Sequence, residues 1–243
     1  LTMLNAGRGN PNWIATEPRD AFFLLGQFAM KEARRVRDDA ILAGMPAKKG
    51  CADRLRKFLS KHKGEDGYDF LVGVLEYGVK IKSFDPDEWI HELTDSIIGD
   101  NYPVPPRALV HIEQIVHDYL VKEMCDGRPP KGKFDLFPVE GGTAAMCYIF
   151  DSLMQNGLLK QGDTIALFLP TFTPYIEIAH LERFQFKIVA INASSLRADG
   201  THDWHYPATE IAKLENPKIK LAVTVNPSNP CLLYTSDAAD DMQ

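Results

Sequence analysis

The stretch that decides the fold is Glu140-Gly141-Gly142-Thr143-Ala144-Ala145. It separates a segment that predicts a strand, Phe134–Val139, from one that predicts a helix, Thr143–Gln155. Free N–H groups at a helix N-terminus converge on one spot, and the helix dipole favours an anion there. The stretch therefore indicates a phosphate site, although a tight turn that uses glycine only for packing would have the same letters.

Downstream of this stretch, predicted strands alternate with predicted helices. The strands are Thr164–Leu169, Phe186–Ile191 and Ile219–Val225, and the helices are Tyr175–Leu181 and Pro207–Leu214. Such alternation is typical of a mostly parallel sheet that is covered on both faces. We therefore predict the α/β class, with a partial sheet.

Upstream, the chain predicts helices and loops. A helix capped by Thr16 should start near Pro18 and end near Gly44. Asp85-Pro86-Asp87-Glu88 is a strong helix start, and another helix should follow Pro106. We expect residues 1–100 to be a helical N-terminal region and residues 101–230 to be the N-terminal part of a larger ligand-binding domain.

Two further motifs follow predicted strands, where open α/β sheets bind their ligands. In Pro170-Thr171-Phe172-Thr173-Pro174-Tyr175, an aromatic ring could stack on a flat ligand, or both rings could simply belong to the core. In Asn226-Pro227-Ser228-Asn229-Pro230, an amide could bind a phenolate oxygen, or the motif could be a plain turn. Each motif alone is weak, but all three should meet at one crevice.

Composition excludes several partners. The net charge of -6 and the pI of about 5.7 disfavour nucleic-acid binding. No apolar run approaches the ~20 residues that a membrane helix needs. The four cysteines form no CxxC pair and have no histidine at zinc-site spacing, so we predict no metal site and a cytoplasmic location.

Together the three motifs resemble the fold-type I pyridoxal-phosphate enzymes, which have the aspartate-aminotransferase fold. The resemblance implies pyridoxal 5'-phosphate as the cofactor and a role for seven residues. The phosphate turn is matched by Gly141, Gly142 and Thr143. The ring that stacks on the cofactor is matched by Phe172, and the residue that binds the cofactor's phenolic oxygen is matched by Asn229. Tyr102 matches a tyrosine that reaches across a dimer to the phosphate of the neighbouring site, and Gly9 matches a loop glycine that lies over the substrate.

Within these enzymes, longer runs such as 4–12, 101–107 and 139–146 resemble the aspartate 4-decarboxylases, which are bifunctional aspartate aminotransferases and β-decarboxylases. This resemblance implies conversion of aspartate to alanine and carbon dioxide, with transamination as a side activity. It also implies a homodimer or a higher homo-oligomer. A plain aminotransferase and a non-catalytic module that binds a phosphate ligand remain alternatives.

Residues 231–243 have neither a helical nor a strand period, and they resemble the translation of a sequencing adapter. We expect them to be a read-through artefact. The family's Schiff-base lysine and carboxylate-binding arginines would then lie downstream. No catalytic residue is assigned for this reason, and we expect the chain itself to be inactive.

Overall fold

The computed structural model describes residues 14–40, 42–99 and 107–226. The chain divides between Pro138 and Val139 into two compact units. We call the described residues before this division the helical unit and those after it the sheet unit. The domain boundary predicted at residues 100 and 101 stays a prediction.

The helical unit contains five α-helices in its described residues. They are α1 (Thr16–Val36), α2 (Cys51–Leu59), α3 (Tyr68–Glu76), α4 (Pro86–Ile97) and α5 (Val110–Met124), with a π-helical segment, Tyr77–Ile81, directly after α3. No strand occurs among the described residues of this unit, in agreement with the predicted helical region.

Apolar side chains at helical spacing form the core of the helical unit. Leu24, Leu25 and Phe28 on α1 pack with Leu55 on α2 and Trp89 on α4. Leu55 and Trp89 are fully buried. Burying one such side chain contributes about 1.5–3 kcal/mol, so this apolar cluster fixes the helix arrangement.

The start of α4 agrees with the prediction from Asp85-Pro86-Asp87-Glu88. The Asp85 carboxylate accepts hydrogen bonds from the backbone N–H groups of Asp87 and Glu88, each at 3.0 Å. The Asp87 carboxylate in turn accepts from Gly50 N at 2.7 Å and from Ala52 N at 2.9 Å. These two bonds lower the pKa of Asp87, and they join the start of α2 to the start of α4.

The predicted cap of α1 and its predicted end near Gly44 were wrong, whereas its start lies within two residues of the predicted Pro18. Thr16 is the first helical residue, and Ala15 stands at the N-cap without a side-chain hydrogen bond. The helix ends at Val36, whose carbonyl accepts from Gly44 N at 3.2 Å. The charged run Arg37-Asp38-Asp39 interrupts the apolar stripe, so a longer helix would have no face to bury there.

An ion pair links α1 to α2. Glu32 is only 4% exposed and accepts from Arg54 Nε at 2.7 Å and from Arg35 at 3.0 Å. Arg54 also donates to the carbonyls of Ala47 and Lys49, at 2.5 and 2.7 Å. The guanidinium therefore holds the segment before α2 against α1.

Two glycines allow close approaches inside the helical unit. A Cβ on Gly67 would lie 2.1 Å from the backbone nitrogen of Ala21, and the φ of Gly67 is +77°. A Cβ on Gly78, in the π-helical segment, would lie 2.3 Å from Nε1 of Trp89. Neither position has room for a side chain.

The sheet unit alternates helices and strands. Its elements are α6 (Gly142–Gln155), β1 (Thr164–Leu169), α7 (Thr173–His180), β2 (Lys187–Asn192), β3 (Ser194–Leu196), β4 (His202–His205), α8 (Ala208–Ile211) and β5 (Ile219–Val223), with a 3-10 turn, Ala212–Glu215, after α8. Strands β2, β1 and β5 form a parallel sheet in that order, with β1 in the centre. The α/β class and the partial parallel sheet are confirmed.

Two details differ from the predicted elements. Phe134–Val139 is not a strand, because the described residues offer it no pairing partner and a strand requires one. The antiparallel pair β3 and β4 was not predicted. Both strands are short and mostly polar, so they lack the alternation of apolar and polar residues from which a strand is predicted.

The core of the sheet unit lies against β1. Ile165 and Leu167 on this strand are 0% and 1% exposed. Phe150 of α6 packs edge-on against Phe184 and Phe186, with ring centroids 5.5 and 5.3 Å away. This packing anchors α6 and the connection into β2, so the ends of these elements have defined positions.

Candidate functional site

The predicted phosphate turn forms the start of α6. Gly141 is the N-cap, with a φ of +139°, and no described side chain caps the helix. The first helical bond runs from Ala145 N to Gly141 O, at 2.9 Å. The N–H groups ahead of Ala145 thus have no partner within the helix, and Gly142 and Thr143 are exposed.

The arrangement fits a phosphate. A Cβ on Gly141 would meet nothing within 4 Å, so a ligand can approach the backbone closely. The helix is 14 residues long, and its dipole adds partial positive charge where the free N–H groups converge. The Thr143 hydroxyl, at the second helical position, can supply another hydrogen bond.

Phe172 lies just beyond the carboxyl end of β1, where it is the N-cap of α7. Its side chain is 39% exposed, so the interpretation of Phe172 as an ordinary core residue does not hold. The ring makes an edge contact with Tyr175, with centroids 5.6 Å apart and an interplanar angle of 86°. A flat ligand at this end of β1 can therefore reach an accessible aromatic face.

Tyr175 is the side chain that brings these two motifs together. Its hydroxyl lies 3.0 Å from the point where a Cβ of Gly142 would stand. The sequence motif contained Tyr175, but it was not assigned to the site. The available signal was its spacing, because a residue three positions after Phe172 returns to the same side of a helical turn.

The parallel sheet brings Asn226, the first residue of the third motif, to the same edge. Strands β1 and β5 are neighbours and parallel, so their carboxyl ends lie at one edge of the sheet. Asn226 follows three residues after the end of β5. Asn229, Tyr102 and Gly9 lie outside the described residues, and their assigned roles stay predictions.

Charged groups near the sheet edge are already paired. Glu210 accepts from Asn192 N, at the end of β2, at 2.7 Å and from Lys213 Nζ at 2.5 Å. The bond from the Asn192 backbone, followed by that from Lys213, lowers the pKa of Glu210. Lys213 also donates to Ala190 O at 3.1 Å, so it serves a structural contact between the 3-10 turn after α8 and strand β2.

One carboxylate stands beside the glycine turn. Glu140 is exposed, and the hydroxyl of Tyr148 lies 3.4 and 3.5 Å from its two oxygens. The Glu140 carboxylate therefore lies beside Tyr148 of α6. Among the described residues, no group of three or more His, Cys, Asp or Glu side chains could hold a metal ion. Within the same part of the chain, no helix is both long and apolar enough to cross a membrane.

The segment that contains the three motifs is similar to a known protein family. A sequence model of the aminotransferase class I and II family matches residues 139–234, which include all three motifs. The chain is also 46% identical, over 94% of its length, to a bifunctional aspartate aminotransferase and L-aspartate beta-decarboxylase from a Pseudomonas species. The chain spans 42% of that relative's length. The resemblance inferred from the sequence motifs is confirmed by this match.

Proposed function

We propose that this chain, whose residues 139–234 match the aminotransferase class I and II family, is part of a pyridoxal-phosphate enzyme that acts on aspartate. The observation that supports this most directly is the proximity of two motifs. The uncapped start of α6 and the accessible ring of Phe172 are brought together by Tyr175 at the carboxyl end of β1.

The described residues can bind and orient such a cofactor. The N–H groups at the start of α6, with the Thr143 hydroxyl, would hold its phosphate. Phe172 would stack on its pyridine ring and so fix the ring plane. When bound, pyridoxal 5'-phosphate supplies the electron sink for bond breaking next to the amino group of an amino acid.

We further propose the specific reaction, which is aspartate to alanine and carbon dioxide with transamination on the side. The support is the activity for which the Pseudomonas relative is named, together with the 46% identity to it. We also propose that Asn229 and Tyr102 contact the cofactor, that Gly9 lies over the substrate, and that the enzyme is at least a homodimer. The unpaired thiols of Cys51, Cys125 and Cys147 support a cytoplasmic location.

The cofactor site can be tested on the chain by nuclear magnetic resonance with selective ¹⁵N-glycine labelling. Pyridoxamine 5'-phosphate is a suitable probe because it needs no lysine. We expect its addition to shift the Gly141 and Gly142 amides, and we expect pyridoxamine without phosphate to shift them far less. Unchanged signals from both glycines at saturating probe would contradict the proposed site.

The reaction can be tested on the full-length enzyme supplied with aspartate. Alanine and carbon dioxide released in equal amounts would support the decarboxylase. Oxaloacetate formed only with a 2-oxo acid acceptor would show a plain aminotransferase. Probe binding with neither product would favour a non-catalytic phosphate-binding module.

A further inference from the structure

We infer that Tyr175 is a positioning residue of this site, whose hydroxyl binds the ligand's phosphate and whose ring supports Phe172. The inference rests on the proposed cofactor site and adds a residue that the three motifs did not assign. Two contacts of one half-buried side chain support it, and they lie at opposite ends of that side chain.

The hydroxyl end lies at the phosphate turn. It is 3.0 Å from the position of a Cβ on Gly142, so it stands in contact with the first residue of α6. It makes no hydrogen bond to another described residue, and it can therefore donate to an anion held by the adjacent N–H groups. A hydrogen bond to a charged oxygen is about twice as strong as one between neutral groups.

The ring end lies at Phe172. The two rings meet edge to face, with their centroids 5.6 Å apart. Tyr175 N also donates a hydrogen bond to Phe172 O at 2.9 Å, within the first turn of α7. The backbone bond fixes the spacing of the two residues, and the ring contact limits rotation of the Phe172 ring. Tyr175 therefore links the group that holds the phosphate to the group that stacks on the flat ring.

The two roles separate in a binding experiment on the whole chain. We expect Tyr175→Phe, which keeps the ring, to weaken pyridoxamine 5'-phosphate and inorganic phosphate by about tenfold or more while leaving pyridoxamine unchanged. We expect Tyr175→Ala to weaken pyridoxamine as well, since Phe172 loses its support. Tyr119→Phe, at an exposed position on α5, is the matched control and should change none of the three affinities.

A double-mutant cycle tests the contact itself. In the wild-type background, Gly142→Ala would displace the Tyr175 hydroxyl, so its cost for phosphate binding should be larger there than in the Tyr175→Phe background. Additive effects, or a Tyr175→Phe variant that binds both phosphate probes as well as wild type, would overturn the inference alone. Failure of the wild-type chain to bind pyridoxamine 5'-phosphate would overturn the proposed function, and the inference with it.

Discussion

At the scale of single residues, the helical unit depends on positions where only hydrogen fits. Gly78 is the clearest case, because its missing side chain leaves room for the indole of Trp89. Trp89 is fully buried, and it also contacts Phe84 and His111. The indole therefore has little freedom to move away from a new methyl group.

We expect Gly78→Ala to lower the free energy of unfolding by about 1–3 kcal/mol, which is typical of overpacking. Gly73→Ala is the matched control, since a Cβ at Gly73 in the preceding helix meets nothing within 4 Å. The free energy of unfolding of that variant should rise by about 0.5–1 kcal/mol, because alanine has a better helix propensity than glycine. Urea titration followed by circular dichroism measures both, and a Gly78→Ala variant as stable as Gly73→Ala would contradict the packing argument.

Part of the site was predictable at this scale, and part was not. Gly141, Gly142 and Phe172 were assigned from the resemblance of the combined motifs, and they lie at the start of α6 and just after β1, while their roles stay predictions. Tyr175 was missed because its role depends on a contact with Gly142, which lies 33 positions earlier in the chain. Linear spacing does not contain such a contact, and only the packing of α7 beside α6 creates it.

At the scale of secondary-structure elements, ionic groups at helix starts and helix faces set how α1, α2 and α4 meet. The nearly buried carboxylate of Glu32 is shared by Arg54 and Arg35. Removing its charge would leave the Arg54 guanidinium without its anion in a partly buried site. Removing one partner of a buried ion pair lowers stability strongly, even where the intact pair itself adds little to stability.

We expect Glu32→Gln to lower the free energy of unfolding by about 3 kcal/mol. The comparison is Asp38→Asn, which breaks the pair between Arg37 and Asp38, whose side chains are 70% and 87% exposed. Asp38→Asn should lower the free energy of unfolding by less than about 1 kcal/mol. Thermal unfolding of the two variants provides the measurement, and similar losses in both would show that burial of Glu32 does not matter.

Asp87 should make stability depend on pH. Its pKa is lowered on folding by the bonds from Ala52 N and Gly50 N. The carboxylate therefore stabilises the fold above its unfolded pKa of about 3.9, and this contribution is lost as the pH falls through the folded value. We expect Asp87→Ala to cost about 0.5–2 kcal/mol at pH 7, as for other helix caps, and less below about pH 4.

Unfolding free energies measured from pH 7 down to pH 3 would test this dependence. Asp53→Ala on α2 is the control, because Asp53 is exposed and, among the described residues, its carboxylate pairs only with Arg56, three positions later. Its effect should stay within about 0.5 kcal/mol. A cost for Asp87→Ala that remained constant over the whole range would rule out a contribution from the carboxylate charge.

The elements themselves were predictable to different extents. α4, α6 and β1 agree with the predicted elements because each has a cap signal or a continuous apolar run. The end of α1 was predicted too late although the charged run Arg37-Asp38-Asp39 marks it, and the strand at Phe134–Val139 was predicted wrongly because a strand depends on a pairing partner. A strand forms only when its backbone groups hydrogen-bond to a neighbouring strand, and the sequence of one segment does not specify that neighbour.

At the scale of the whole molecule, each of the two units has its own core and its own described tryptophan. Trp89 lies fully buried in the helical unit, and Trp204 lies 47% exposed on β4 of the sheet unit. The described residues of the proposed ligand site all belong to the sheet unit. A ligand that binds only the folded site stabilises whatever unfolds together with it.

We expect pyridoxamine 5'-phosphate at 100 times its dissociation constant to stabilise the sheet unit by about 2.7 kcal/mol. Two single-tryptophan variants, one retaining Trp204 and one retaining Trp89, would report the two cores during urea unfolding. The Trp204 transition should move to higher urea, and the Trp89 transition should move less. A shift confined to Trp89 would contradict the location of the site.

The close approach of Gly67 to α1 also has a genetic consequence. Every single-base change in a glycine codon that alters the amino acid adds a side chain, and here any Cβ would enter the Ala21 backbone. At Gly64, three positions earlier, a Cβ would meet nothing within 4 Å. Substitutions at the Gly67 codon should therefore be removed by selection, whereas substitutions at the Gly64 codon should survive more often. The contact of Gly67 with α1 should then be visible as a lack of natural sequence variation at that codon.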